Sequence, residues 1–176
     1  ALFWGDNLSD GLGVAALAYG SGAWALGGSS ANLAVACEGL LSIFLVTHGL
    51  KRGIGRVRPM DDSPDSFPSG HSSLAFGGAT LLARSIERDF DSEWGYLFLL
   101  PATFVAYNRV EDGRHWATDA AAGAFLGTLI ANWVFNAHFG EEGRASIFQR
   151  SRERLRASFA AQVDEDFLGI GLHVSF

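Results

Sequence analysis

Five long apolar stretches, separated by Gly, Pro or charged segments, organise the chain. They predict helices over about residues 11–28, 31–50, 71–88, 93–107 and 116–139, because each apolar run is too long for a strand. Gly27-Gly28 and Ser29-Ser30 mark the first turn, and residues 60–67, MDDSPDSF, read as a loop. Residues 83–94, ARSIERDFDSEW, read as a charged connection. The pattern predicts an all-α fold, an antiparallel bundle of about five to six helices. In such an up-down bundle the ends near residues 51, 71, 108 and 116 fall on one side, and the charged connection falls on the other.

Past residue 140 the pattern changes. Residues 144–160 are basic, with Ile147, Phe148, Leu155 and Phe159 as an apolar component, which predicts a short amphipathic helix. Residues 167–176 alternate, with Leu168, Ile170, Leu172, Val174 and Phe176 on one face, which is strand periodicity. A terminal Phe on such a strand is also found in outer-membrane barrels. One strand cannot close a barrel, so a tail packed on the bundle or on a neighbouring molecule is the expectation. The division is a helical domain over 1–140 and a tail over 141–176.

Composition narrows the class. A chain of 176 residues is long enough for one substantial core. Its net charge of −6 gives no overall attraction to nucleic acid. Cys37, the single cysteine, excludes an intramolecular disulfide and reads as a small buried hydrophobe. Residues 11–37 carry no charge, nor do residues 120–140 apart from His138. Against a fully spanning bundle, the third and fourth helices fall short of the roughly 20 apolar residues a span needs. Glu38 interrupts the second, and mean hydropathy is only +0.16. If the bundle does span, the Arg-rich residues 144–156 lie opposite the helix ends near residues 51, 71, 108 and 116, and the positive-inside rule places those ends outside. The expectation is a bacterial envelope protein facing the periplasm, either integral to the membrane, peripheral on it or soluble. The start at Ala1 fits a mature exported form or a trimmed chain.

Three segments carry chemistry. Residues 51–59 read KRGIGRVRP, residues 68–71 read PSGH, and residues 108–119 read NRVEDGRHWATD. Lys51, the only lysine, joins Arg58 and Arg109 as cations. A phosphoryl group spreads charge over three oxygens, so its transfer depends on positioning and charge neutralisation. Arginine forks onto two oxygens, and lysine acts as a point charge. His71 and His115 can attack phosphorus or move a proton. His115 and Asp119, spaced i, i+4, would share a helical face, so that the carboxylate holds one ring N–H. Pro68 suits a helix start, which places backbone N–H groups around Ser69, Gly70 and His71 where anions bind. Taken singly, each segment has a plainer reading: a solvated basic loop, a turn with a helix cap, or a surface His/Asp pair. All three in order point to one site.

The set resembles the type 2 phosphatidic acid phosphatase superfamily, which includes bacterial class A acid phosphatases and vanadium haloperoxidases. Its pattern is Lys, six residues, Arg-Pro; then Pro-Ser-Gly-His; then Ser-Arg, five residues, His, three residues, Asp. The chain departs from it only in having Asn108 at the Ser position. The likeness extends over roughly residues 11–139. It implies His115 as a nucleophile forming a phosphohistidine, Asp119 orienting it and His71 as general acid. It implies Lys51, Arg58, Ser69, Gly70 and Arg109 as phosphate ligands, with no metal and no cofactor. The expected activity is hydrolysis of lipid-linked phosphate monoesters or diphosphates at a membrane. The alternatives are a vanadate-dependent haloperoxidase and a non-catalytic phosphate- or lipid-binding envelope protein.

Overall fold

The computed structural model describes residues 2–26 and 30–140. Five α-helices form there: α1 (Leu2–Ala25), α2 (Ala31–Ile54), α3 (Gly70–Phe90), α4 (Leu99–Glu111) and α5 (Ala117–Phe139). A 3₁₀ helix, Glu93–Phe98, precedes α4. The described residues contain no strand, so the architecture is an all-α bundle. The amphipathic helix over 144–160, the alternating tail over 167–176 and the boundary at 140/141 lie outside the described residues.

Helix ends differ from expectation for local reasons. α1 starts at Leu2, because Asp6, Asn7 and Asp10 break the apolar pattern without breaking the helix. α2 runs on through Lys51 to Ile54 and stops at Gly55, whose φ of +62° suits glycine and whose N–H bonds the Lys51 carbonyl. The fourth predicted helix divides. Pro101 lacks an N–H and sits in the first turn of α4, where none is needed, while Glu93–Phe98 winds more tightly. Residues 83–88 of the charged stretch are helix, as the span predicted for the third helix requires. α3 continues to Phe90, and Arg84 and Glu87 are buried within it.

The bundle is arranged around α3, the least apolar of the five helices. Leu81 and Leu82 join Ala16, Val35, Ala36, Ala131, Val134 and Phe135 in one core cluster. Ala75 and Ala79 join Leu12, Ala102 and Val105 in a second. Fully burying a side chain such as Phe135 or Leu81 contributes about 1.5–3 kcal/mol. Two glycines of α5 bring that helix onto the start of α3. A Cβ on Gly123 would lie 2.4 Å from the Ser69 carbonyl oxygen, and one on Gly127 would lie 2.1 Å from that of Ser73. This close approach sets α5 beside the PSGH segment.

The outside of the bundle is more apolar than its central helix. Leu41, Phe44, Leu45, Val46, Leu50 and Ile54 of α2 are exposed, as are Phe104 and Tyr107 of α4 and Phe125, Leu129 and Trp133 of α5. Cys37 lies on the outward stripe of α2 and is exposed, contrary to the buried position expected for it. Helices α2 and α5 are each long and apolar enough to cross a membrane. Glu38 does not interrupt α2. It pairs with His138 of α5 at 2.7 Å.

Candidate active site

The C-terminal ends of α2 and α4, the N-terminal ends of α3 and α5 and the loops between them meet at one end of the bundle. An open pocket of about 370 Å³ lies there. Of the residues expected from the sequence, Lys51, Arg58, Gly70, His71 and His115 line it. Ser69, Arg109 and Asp119 are buried and do not.

Each position follows from local structure. Lys51 sits in the last turn of α2, and its ammonium donates to the Asp65 carbonyl. Arg58 is held by the Asp65 carboxylate through two contacts, Nη2 at 2.9 Å and Nε at 2.8 Å. The Nη2 hydrogen bond and the ion pair restrain the guanidinium. Ser69 caps α3. Its hydroxyl accepts from the Ser72 N–H at 3.4 Å and the Ser72 hydroxyl at 3.0 Å. Its own N–H donates to the Asp119 carbonyl at 3.0 Å, which ties the start of α3 to α5. Arg109 approaches Asp112 at 3.4 Å, and its carbonyl accepts from the His115 N–H at 3.1 Å.

The His115–Asp119 pairing differs from the expectation. α5 begins at Ala117, so His115 precedes the helix and the i, i+4 geometry does not apply. The His115 ring meets the Ser66 carbonyl instead, Nδ1 to O at 2.7 Å. Asp119, fully buried, accepts from Arg56 Nη1 at 2.6 Å on Oδ1. Its Oδ2 accepts from the Ser66 hydroxyl at 2.5 Å and the Trp116 N–H at 3.1 Å. That last bond caps the first turn of α5, where a carboxylate also meets the positive end of the helix dipole.

The Ser66 carbonyl can only accept, so Nδ1 of His115 carries the proton and Nε2 holds a lone pair. Nε2 has no partner among the described residues. Burial, followed by the nearby Lys51 charge, pushes the imidazole from its ordinary 6.5 down to about 4; Arg58 acts in the same direction. The Ser66 bond and Asp119 oppose this less strongly. A neutral imidazole with one nitrogen pinned and the other open to a cationic pocket can act as a nucleophile.

Residues that the motif reading missed complete the site. Ser66, Arg56 and Asp65 hold the motif residues from the loop between α2 and α3. Their signal was proximity in sequence to Arg58 and Ser69. On α2, Phe44, His48, Lys51 and Arg52 form one stripe of helical spacing along the pocket wall. Asp10 of α1 and Leu74 of α3 also line it. Among the described residues no group of three or more His, Cys, Asp or Glu gathers to hold a metal ion.

The family model for the PAP2 superfamily matches residues 32–142, and the chain belongs to that superfamily. It is 36% identical over 91 residues to a lipid A 1-phosphatase of Porphyromonas gingivalis, covering 48% of this chain and 19% of that protein. It is 32% identical to lipid phosphate phosphatase 1 of Arabidopsis thaliana, covering 57% of this chain and 36% of that protein. It is 38% identical over 68 residues to an undecaprenyl-diphosphatase of Sulfolobus acidocaldarius, covering 38% of this chain and 30% of that protein. The chain thus spans about a fifth to just over a third of these relatives' lengths. No solved structure matches it.

Proposed function

We propose that this chain is a metal-independent phosphatase that hydrolyses lipid-linked phosphate monoesters or diphosphates through a phosphohistidine on His115. The observation that carries the reading is His115 itself, with Nδ1 pinned to Ser66, Nε2 without a partner among the described residues and the ring lining a pocket that also holds Lys51 and Arg58.

In the first step Nε2 attacks phosphorus, and the bond from phosphorus to the leaving oxygen breaks. His71, on the same pocket wall, gives that oxygen its proton. In the second step His71 takes a proton from water as the water oxygen attacks the phosphohistidine. The P–N bond breaks, releasing inorganic phosphate and restoring His115. Lys51, Arg58 and the N–H groups at the start of α3 around Gly70 offset the charge on the phosphoryl oxygens. Ser69 and Arg109, buried behind the pocket wall, support this cradle from α3 and α4.

A lipid substrate is supported by Phe44 and Leu74, which give the pocket an apolar arm beside its cations. The lipid phosphatases and the diphosphatase among the relatives point the same way. The apolar outer faces of α2, α4 and α5 suit a bilayer, with α2 and α5 as spans. On that reading the Arg-rich residues 144–156 follow the far end of α5, and the positive-inside rule puts the site on the outer, periplasmic face.

The test is a phosphate-release screen of purified protein in detergent over lipid monophosphates, isoprenyl diphosphates and soluble esters, with and without EDTA. Release that survives EDTA and is inhibited competitively by vanadate is expected. Loss of activity in chelator, restored by a divalent cation, would overturn the metal-independent mechanism.

A further inference from the structure

In this site the carboxylate and the nucleophile do not touch. Asp119 binds Arg56, Ser66 and Trp116, while His115 binds Ser66. Ser66 therefore stands between them. All three of its polar groups are engaged and it is fully buried. Its hydroxyl donates to Asp119, its N–H donates to the Arg56 carbonyl at 2.8 Å, and its carbonyl accepts from His115.

This arrangement has a mechanical consequence. A carbonyl fixes an imidazole only as well as its own peptide plane is fixed. The plane that carries the Ser66 carbonyl lies between two anchors, the N–H on one side and the start of α3 on the other. The hydroxyl bond adds a third constraint from α5. Asp119 cannot drift, because Arg56 holds its other oxygen and the Trp116 N–H binds the same one as Ser66. Charge-assisted bonds to a buried carboxylate are short and geometrically restrictive, as those from Arg56 and the Ser66 hydroxyl are.

We propose that Ser66 is the positioning residue of this active site: its hydroxyl carries the hold of Asp119 to its own carbonyl, and that carbonyl sets the tautomer and aim of His115. The carboxylate thus acts on the nucleophile through one serine. This inference rests on His115 being the nucleophile, but the tautomer it assigns can be read without any turnover.

The experiment uses the full chain in detergent with ¹⁵N-labelled histidine. In the wild type, NMR should show His115 with the proton on Nδ1. Ser66→Ala keeps the carbonyl and loses the hydroxyl anchor. Its His115 resonances should move toward a mixture of tautomers. Its kcat should fall about 10- to 100-fold, the scale of one lost hydrogen bond to a charged group. The inhibition constant for inorganic phosphate should stay within about threefold, because the pocket cations are untouched. Asp119→Asn should shift the tautomer in the same direction, and its loss should not add to that of Ser66→Ala in the double variant. Should Ser66→Ala fail to fold, Ser66→Cys, similar in size and a weaker donor, is read the same way.

An unchanged tautomer, kcat within twofold of wild type, or a parallel loss of kcat and phosphate affinity would each overturn the proposal. So would additive losses in the double variant. A wild type that shows the assigned tautomer but releases no phosphate from any substrate would overturn the phosphatase reading and leave the role of Ser66 in place.

Discussion

Two polar clusters lie at the two ends of α3, and they differ in one respect. At the pocket end, Asp119, Ser66 and Arg56 surround His115. About 21 Å further along α3, at ~1.5 Å per residue, Arg84 lies between Asn132 at 3.3 Å and Asn136 at 3.2 Å of α5. It also sits over the Phe135 ring at 4.7 Å and near Glu87 at 3.7 Å. Glu87 in turn accepts from the Tyr96 hydroxyl at 2.8 Å. Both clusters satisfy charge inside a helical bundle. Only the first leaves a lone pair facing a pocket. Buried charge alone therefore marks packing; the open Nε2 of His115 marks chemistry.

The largest test of that contrast removes one group from each cluster. His115→Ala should lower turnover per folded molecule by several orders of magnitude while helicity holds, because it deletes the nucleophile; the melting temperature should fall modestly, because the ring is buried and bonded to Ser66. A folded variant retaining more than a tenth of wild-type activity would reverse the assignment. Arg84→Met should do the opposite. It removes the buried Arg84–Glu87 ion pair and the hydrogen bonds to Asn132 and Asn136, which costs about 3–5 kcal/mol. Thermal unfolding should shift sharply down, while kcat per folded molecule stays near wild type. A selective loss of kcat would mean that the far cluster communicates with the pocket.

His71 divides binding from proton transfer within the first cluster. His71→Asn should slow an alkyl phosphate far more than nitrophenyl phosphate, since a basic alkoxide needs a proton to leave and a nitrophenolate does not. Steady-state kinetics on the two esters checks this. Equal losses would make His71 a phosphate ligand rather than the acid.

The two clusters were also unequally legible in sequence. The pocket end announced itself, because its cations and histidines sit beside Gly and Pro signals that set helix ends, and an up-down bundle gathers those ends. The far cluster lay in residues 83–94, which read as a charged connection. Nothing local says that Arg84 and Glu87 face inward; their partners are Asn132, Asn136 and Tyr96. The same limit hid Ser66. Its bond to Asp119 spans 53 residues and forms only when α5 packs on the start of α3. The expected His115–Asp119 contact failed because spacing was read as helical where the helix had not yet begun.

The smallest expected effect concerns protonation. An ordinary histidine is about 3% neutral at pH 5, given an unperturbed value near 6.5. His115 should stay mostly neutral there, because burial and then Lys51 hold it down at about 4. The unfolded chain then binds the extra proton between those two values. Stability from this group is complete above pH 6.5 and declines as pH falls toward 4. Histidine NMR across pH 3–8 checks the wild type, and a midpoint near 6.5 would remove the physical basis for a neutral nucleophile. Lys51→Met should raise the midpoint toward 6.5, since it deletes the second-largest cause. If the midpoint does not move, burial and Arg58 hold His115 neutral, and the pocket lysine acts on substrate charge without tuning the nucleophile.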